Sequence, residues 1–302
     1  MGWRVVVIST TVKLDYEMGY LCIRSKDDLK RIYIDEISLL MIETVSVALT
    51  TYLLVELTNH KVNVVFCDKK GIPNGTYLAL YGSHDTSKSV RKQVTWTDKN
   101  KQVIWKSVIE RKILGQSSVL SFNDRKEASE KLLGYISQIE LGDATNREGH
   151  AAKVYFNALF GKTFTRDDDE LLVNAALNYG YAVLLSTVAR EIVSNGYLTQ
   201  IGIFHDNIFN ELNLACDLME PFRPFVDQQI LNMKLEKFEH DEKMEVISFL
   251  NKKVKIDGRE QYILNGITIY VKTILDAIDN VNPLIVKYPE YELSLYESDS
   301  VL

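Results

Sequence analysis

A glutamate in the first turn of a predicted helix is the strongest candidate for chemistry in this chain. An ionised carboxylate leaves water only when it is paired, hydrogen-bonded or bound to a metal ion, so Glu148 needs a partner. The spacing Thr145-x-x-Glu148 is also that of a capping box, in which both side chains satisfy free backbone amides. Glu148 is therefore either a helix cap or a carboxylate that binds a separate partner, and both interpretations stay open. Gly149 costs the helix about 1 kcal/mol relative to alanine, which predicts the close approach of another group. The stripe that continues from Glu148 at helical spacing consists of Ala151, Ala152, Tyr155, Phe156, Leu159 and Phe160.

A second concentration of polar residues runs from His205 to Asp227. Asp217 and Glu220 lie at helical spacing on one predicted face, with no lysine between them, so their carboxylates should repel each other. A bound cation would relieve that repulsion. The alternatives are that both acids are solvated and that His205 is an ordinary core or surface histidine.

The two segments together supply oxygen and nitrogen ligands without a thiolate. Glu148, His205 and Glu220, with Asp217 nearby, form a set that suits Mg²⁺ or Mn²⁺ better than structural zinc. Such an ion would act as a Lewis acid on a phosphate group and stabilise the charge of the transition state.

The elements that position these residues divide into two parts of different character. The first part favours short strands that form a small sheet or sandwich, with one helix at about residues 49–59. The chain therefore has an α+β fold, with a β-rich domain at 1–98 and a larger, mainly α-helical domain at 99–302. The predicted strands are 3–8, 13–16, 20–23, 31–34, 38–42, 62–66 and 77–81.

The second part shows long helical periods. A helix over 174–194 ends at Asn195-Gly196, which is a typical helix stop. The segment 254–263, with Asp257-Gly258 at its centre, predicts a β-hairpin. The acidic end, residues 288–302, predicts a loose tail.

The chain has 302 residues, of which 46% are hydrophobic and 25% charged, and its net charge is −6. This composition is typical of globular proteins. The most apolar stretch is interrupted by Glu43 and Glu56, and the N-terminus does not resemble a signal peptide, so we expect a cytoplasmic protein without a membrane span. The three cysteines form no paired motif, which argues against disulfides and a thiolate zinc site.

Positive charge is concentrated between residues 87 and 113, where eight lysines and arginines stand against two acids. Trp96 and Trp105 lie among them. A basic stripe with interleaved aromatic residues favours a nucleic-acid backbone, although a solvated helix face is the commoner meaning of such a run.

The motifs together resemble the CRISPR-associated integrase and endonuclease family known as Cas1, over nearly the whole chain. The resemblance rests on 146–156 (NREGHAAKVYF), 174–181 (NAALNYGY), His205 and 217–224 (DLMEPFRP). The opening Gly2-Trp3-Arg4 and the segment 81–85 (YGSHD) are most similar to the branch that accompanies type II systems. The segment 196–205 departs from the proline and Gly-Phe-Leu-His pattern of many members.

The resemblance implies a β domain that forms a homodimer and a helical domain that holds one divalent ion, Mg²⁺ or Mn²⁺. Carried over by position, the ligands are Glu148, His205 and Glu220, and Asp217 would assist the metal or orient water. Gly149 would leave room for a DNA phosphate beside the metal.

The implied reaction is attack by the 3′-hydroxyl of a captured DNA fragment on a phosphodiester of the CRISPR repeat, in a prokaryotic cytoplasm. The implied partners are double-stranded DNA, a second copy of the chain, the companion protein Cas2 and further type II adaptation proteins. A general metal-dependent nuclease on branched DNA and a non-catalytic DNA scaffold are the alternatives. Candidate DNA contacts are Lys88, Arg91, Lys92, Arg147, Lys153, Arg166, Arg190 and Arg223, whereas Tyr155, Tyr179 and Tyr181 are expected in the core.

Overall fold

The computed structural model of the protein describes residues 2–80, 82–168 and 170–294, which divide into two compact units. The first unit comprises residues up to 86 together with 193–196, and the second comprises 87–192 and the chain from 197 onward. The division therefore lies earlier than the predicted boundary at 98. Gln93 explains the difference, since its side-chain amide donates to the carbonyls of Leu198 (2.8 Å) and Ile201 (3.1 Å), both in the helical unit.

The first unit is β-rich, as its β-branched and aromatic sequence predicts. One sheet has the order β1-β5-β7-β8, with β7 and β8 antiparallel and the other pairs parallel, and the other sheet has the order β4-β3-β2-β6. The apolar sides of both sheets and of the helix α1 meet in one core. The elements are β1 Arg4–Ile8, β2 Lys13–Glu17, β3 Tyr20–Arg24, β4 Leu29–Tyr33, β5 Ile37–Ile42, β6 Ala48–Leu49, α1 Thr51–Asn59, β7 Asn63–Cys67 and β8 Pro73–Tyr77.

The last strand of this unit, β8, ends at Tyr77, which is the residue where the predicted strand 77–81 begins. A tight turn at Asp68, whose carboxylate accepts the amides of Lys70 and Ile72, returns the chain immediately after β7. The antiparallel partner of β7 is therefore Pro73–Tyr77, a stretch of low strand propensity. The predicted strand at 77–81 is wrong in its bounds, and Tyr81 itself lies outside the described residues.

The second unit is mainly helical, which confirms the α+β fold class. The long helix α3 runs through its centre and packs against several others, with a buried face formed by residues such as Trp105, Val108, Ile109 and Ile113. The helices are α2 Thr86–Gln93, α3 Asp98–Phe122, α4 Lys126–Ile136, α5 Arg147–Phe160, α6 Leu172–Ser194, α7 Asn213–Met219, α8 Arg223–Asn232, α9 His240–Ile247 and α10 Ile263–Asn280.

The predicted hairpin forms from β9 (Lys253–Ile256) and β10 (Arg259–Tyr262), with Asp257 and Gly258 at positive φ in the turn. A short strand, β11 (Pro289–Glu290), adds to the other edge of β9. The prediction of a loose tail from residue 288 is therefore wrong for 288–294, and residues 295–302 lie outside the described part of the chain.

One helix, α6, is long and apolar enough to cross a membrane by length and mean hydropathy (1.3) alone. Of its most apolar window, 67% is buried inside the protein, which is typical of a core helix. Within the described residues the cysteines form no disulfide, and Cys22 and Cys67 are buried.

Candidate active site

Glu148 lies in the first turn of α5, but the start of this helix is not the predicted capping box. Asn146, in the left-handed conformation at φ 50°, caps the helix and accepts the amide of Gly149 at 3.2 Å. The carboxylate of Asp143 accepts the amides of Arg147 (2.8 Å) and Glu148 (2.9 Å). Thr145 donates instead to a carbonyl of the preceding loop. Because other side chains satisfy these amides, the Glu148 carboxylate is left for another partner.

The glycine at 149 has a local explanation. A Cβ added there would lie 2.7 Å from Oδ1 and 2.9 Å from Nδ2 of Asn146, closer than real contacts allow. The sequence correctly predicts a close approach at Gly149, but the approaching group is the capping side chain. The expectation that Gly149 also makes room for a DNA phosphate stays a prediction.

The partner of Glu148 is a lysine from the central helix. Lys112, only 5% exposed on α3, places Nζ 2.5 Å from Oε1 of Glu148 and 2.5 Å from Oε2 of Glu220. The second oxygen of Glu220, Oε1, lies 2.8 Å from Nη1 of Arg223. Two carboxylates that are 72 positions apart in sequence thus converge on one cation.

Glu220 is ionised because of these neighbours. Burial by itself raises the pKa of this carboxyl, but Arg223 and Lys112 outweigh burial and hold the pKa at about 2. The side chain stands at the end of α7, where the short 3-10 turn Glu220–Phe222 leads into α8. Glu220 is therefore a carboxylate throughout the physiological pH range.

Asp217 holds the loop that carries His205. Its fully buried carboxylate accepts the backbone amides of Ile203 (2.7 Å), Phe204 (3.0 Å) and His205 (3.1 Å), and it lies 2.6 Å from His205 Nδ1. This hydrogen bond raises the pKa of His205. Since Nδ1 donates to Asp217 in the neutral ring, the lone pair remains on Nε2, the usual arrangement of a metal-binding histidine.

Because Gly202 has no side chain, the backbone of this loop can lie directly against the carboxylate of Asp217. A Cβ at Gly202 would lie 2.3 Å from the carbonyl oxygen of His205 and 2.7 Å from Oδ2 of Asp217. Only glycine fits this position, and the loop reaches its histidine geometry although the sequence departs from the family pattern here. With this different sequence at residues 196–205, His205 still contacts Asp217 through Nδ1.

Two clefts meet at these residues. Glu148 and Lys112 line a cleft of about 520 Å³, whereas His205 and Glu220 line a neighbouring cleft of about 350 Å³. Tyr181 and Arg223 line both clefts: the Arg223 guanidinium lies 4.1 Å from the centre of the Tyr181 ring.

The predicted metal ligands are only partly brought together. In the part of the chain that the structure describes, no group of three or more His, Cys, Asp or Glu side chains is arranged to hold a metal ion. Glu148 and Glu220 nevertheless fit a divalent ion, since both already contact one cation and the buried Oε2 of Glu220 makes no hydrogen bond of good geometry. The His205 side chain, 42% exposed, would be the third ligand. The metal stays a prediction.

Three of the predicted DNA contacts line the larger cleft: Lys153, Arg166 and Arg223. The cleft also contains Lys112 and Lys162, so several positively charged side chains lie in the same cleft as Glu148. Asn174 and Asn178 accept hydrogen bonds from Arg166 at 2.5 and 2.6 Å and orient its guanidinium. Positively charged side chains that lie beside carboxylates can bind a phosphate backbone close to a metal ion.

The other predicted contacts lie elsewhere. Arg190 is buried and paired with Glu191 at 2.6 Å, which does not suit a DNA contact, and Arg147 packs over the ring of Tyr135. Lys88, Arg91 and Lys92 are exposed on α2, and Lys92 pairs with Asp279 at 2.8 Å.

The tryptophans of the basic segment are core residues. Trp96 donates to Asp279 and stacks on Tyr197, while Trp105, fully buried, stacks on Phe204 with ring centres 4.4 Å apart. The two tryptophans of the basic segment therefore face the interior and do not contribute to a nucleic-acid surface.

The predicted core tyrosines are buried, and two of them hold another acid. The hydroxyls of Tyr155 (2.9 Å) and Tyr181 donate to Asp227, which lines the larger cleft. Burial raises the pKa of Asp227 to about 6, although Tyr181, Arg223 and Tyr155 act in the opposite direction. This network supports the ring on which Arg223 rests.

Lys112 is the functional residue that the sequence analysis missed. Its position follows Trp105, Val108 and Ile109 at helical spacing, so it lies on the apolar stripe of α3. A lysine on a buried stripe requires an anionic partner. This signal lies within the basic segment, where the run of lysines and arginines hides the buried position of Lys112.

Comparisons of sequence identify relatives over nearly the full length. A sequence model of the family described as CRISPR associated protein Cas1 matches residues 5–256. A CRISPR-associated endonuclease Cas1 of Neisseria meningitidis serogroup C (strain 8013) is 31% identical over 295 residues, which cover 96% of this chain and 97% of the relative. CRISPR-associated endonuclease Cas1 1 of Francisella tularensis subsp. novicida (strain U112) is 23% identical over 293 residues, which cover 90% and 92%.

Solved structures share the fold at low sequence identity. A casposase bound to integration product superposes with a TM-score of 0.73 at 20% identity, over 93% of this chain and 92% of that one. A CAS1 protein from Thermotoga maritima gives 0.72 at 15% identity, over 91% and 97%. A chain of a Cas6-RT-Cas1–Cas2 complex gives 0.73 at 16% identity, over 96% of this chain and 36% of that one.

Proposed function

The chain belongs to the Cas1 family, and from that premise we propose that it is a metal-dependent DNA integrase and endonuclease of CRISPR adaptation. Its substrates are a captured double-stranded DNA fragment and the CRISPR repeat, in a prokaryotic cytoplasm. The observation that carries the proposal is the convergence of Glu148 and Glu220 on one cation at the edge of a basic cleft. The names of the relatives, both endonucleases, support the same class of chemistry.

The proposed ligands of a Mg²⁺ or Mn²⁺ ion are Glu148, Glu220 and Nε2 of His205. When bound, the ion supplies Lewis-acid activation of the attacking oxygen and charge stabilisation at the phosphate. Asp217 holds the imidazole through Nδ1 and keeps Nε2 available. Carboxylate and imidazole donors with retained water are the set that these ions prefer.

The cationic residues of the cleft place the phosphate. Arg223, held by Glu220 and the Tyr181 ring, and Arg166, held by Asn174 and Asn178, offer fixed guanidinium groups to the DNA backbone. The 3′-hydroxyl of the fragment loses its proton and its oxygen forms a new bond to the phosphorus at the repeat end. The bond from that phosphorus to the 3′-oxygen of the flanking DNA breaks, and the released oxygen takes up a proton. One phosphodiester replaces another, so the reaction requires no nucleotide hydrolysis.

Partners are proposed from the family and its fold neighbours. A chain of similar fold occurs in a Cas6-RT-Cas1–Cas2 complex, which supports Cas2 as the companion protein. We assign homodimerisation to the β-rich unit and the type II branch to the motifs at residues 2–4 and 81–85. The involvement of further type II adaptation proteins rests on that branch assignment.

A hydrolytic nuclease acting on branched DNA is the second candidate, and it is favoured by two relatives that are named as endonucleases. The fold similarity to a casposase bound to integration product favours strand transfer instead. A non-catalytic scaffold is the third candidate, and it predicts joining by the assembled complex that EDTA does not affect.

The deciding experiment incubates a labelled fragment carrying 3′-hydroxyls with repeat-containing plasmid, the protein, Cas2 and Mn²⁺ or Mg²⁺. We expect joined products that keep the intact fragment, and their loss in Glu148→Gln, Glu220→Gln and His205→Ala. Glu236→Gln, at an exposed glutamate of the loop before α9, is the matched control and should retain joining. Shortened fragments without joined product would establish hydrolysis, and joining that persists in any of the three variants would remove that residue from the ligand set.

A further inference from the structure

A buried lysine bridges the two glutamates that we assign to the metal. We propose that Lys112 is a built-in counter-ion of Glu148 and Glu220, that a divalent ion displaces its ammonium on binding, and that Lys112 thereby sets the metal affinity of the site. The inference rests on the proposed metal role of the two glutamates. It assigns Lys112 a positioning and competing role, not a catalytic one.

The charges at the site are balanced without a metal ion. The two carboxylates carry two negative charges, and Lys112 and Arg223 carry two positive charges, all within direct contact distance. Adding a divalent ion while both cations stay in place would leave two uncompensated positive charges around buried groups. Such an excess is strongly unfavourable in a poorly solvated region. Moving one of the two cations away from the glutamates removes half of that excess charge.

The contacts of the two cations show which one leaves. Arg223 is fixed by Glu220 and by the face of the Tyr181 ring at 4.1 Å. Lys112 contacts both glutamates, and its flexible four-carbon stem lines the larger cleft together with Gln116. The ammonium occupies the position between the two oxygens that would bind the ion. Lys112 is thus the movable partner.

Lys112 could instead prepare the glutamates for the metal ion, and this role predicts a different metal affinity when Lys112 is removed. If Lys112 holds the glutamates ready for the ion, its removal weakens metal binding. If it competes with the ion, its removal strengthens binding, because the ion no longer displaces an ion pair. In both cases the metal-free protein loses stability, since Glu148 and Glu220 then lose the cation that they share. The metal affinity distinguishes the two roles.

The test is titration calorimetry of Lys112→Met with Mn²⁺, in the absence of DNA, together with thermal unfolding. We expect Mn²⁺ binding roughly tenfold tighter than in the wild type, a difference of about 1.4 kcal/mol. The melting temperature of the metal-free variant should fall, and Mn²⁺ should raise it by more than in the wild type. Lys153→Met is the matched control, because it removes a positive charge from the same cleft at an exposed position. Its affinity for Mn²⁺ should rise less.

Lys112→Gln, which keeps hydrogen-bonding capacity, replaces the methionine variant if that variant does not fold. Mn²⁺ binding that is unchanged or weaker in the folded Lys112 variant would overturn the competing role, as would an equal rise in Lys153→Met. Failure of the proposed metal site gives a different result: the wild type and every Lys112 variant would then bind no Mn²⁺. Binding by the wild type that is lost in Glu148→Gln keeps the proposed site, whichever way Lys112 acts.

Discussion

The Asp217→Asn substitution tests how the histidine loop is built. The Asp217 carboxylate accepts four hydrogen bonds, three from the backbone amides of 203–205 and one from the His205 ring. An asparagine offers one acceptor oxygen, and its amide nitrogen then faces two donors. Losing two charge-assisted hydrogen bonds of about 2 kcal/mol each predicts that the free energy of unfolding falls by about 4 kcal/mol.

The same substitution acts on the imidazole. The Asp217 carboxylate is the main cause of the raised pKa of His205, so the pKa should fall in the variant. A neutral ring can accept a hydrogen bond from the asparagine amide at Nδ1, and it then carries its proton on Nε2. That tautomer lacks the lone pair needed for a metal ion, so DNA joining should be lost even under conditions where the variant is folded.

Urea unfolding measures the stability, and NMR titration of the metal-free protein, assigned with His205→Gln, measures the pKa and tautomer of His205. Asp206→Asn, at an exposed neighbouring acid, is the control and should change neither quantity appreciably. A stability loss in Asp217→Asn below about 1 kcal/mol, less than one such hydrogen bond, together with an unchanged His205 pKa, would refute this account of the loop.

Three further predictions concern single contacts. Gly202→Ala should prevent the loop from closing and reduce DNA joining, because its Cβ would lie 2.3 Å from the His205 carbonyl; a fully active variant would contradict this. Since the pKa of Glu220 is held at about 2, below its ordinary 4.5, its ion pairs stabilise the fold above pH 4.5 and are lost as the pH falls towards 2. Between pH 4.5 and pH 2, the free energy of unfolding should therefore fall by about 3 kcal/mol more in the wild type than in Glu220→Gln. An equal fall in both proteins would count against the ion pairs of Glu220. Lys153→Gln should weaken DNA binding regardless of sequence and reduce the salt dependence by about one charge, as measured by fluorescence anisotropy at several salt concentrations; an unchanged slope would exclude a phosphate contact.

The sequence predicts the architecture because its local signals agree with the fold. The hairpin at Asp257-Gly258 and the end of α6 at Asn195-Gly196 follow from residues that favour positive φ. Strand β8 escapes prediction because the turn at Asp68, not strand propensity, selects the residues that pair with β7. Local propensity is a weak guide where tertiary pairing decides.

The site is predicted less completely, because its partners are distant in sequence. Glu148, His205 and Glu220 are recognisable from a motif, but the motif does not contain Lys112, which α3 brings to both glutamates. The capping interpretation fails for a related reason, since Asp143 and Asn146 satisfy the amides assigned to Thr145. Neighbouring residues compete for the same backbone groups, and only the folded geometry decides between them.

The most direct test of the central claim is a crystal structure of the protein with Mn²⁺, with the ion located by its anomalous scattering. We expect one strong peak in contact with carboxylate oxygens of Glu148 and Glu220 and with Nε2 of His205, and we expect Lys112 Nζ to have moved out from between the glutamates. An anomalous peak elsewhere, or none at saturating Mn²⁺ with Lys112 still bridging the two carboxylates, would contradict it.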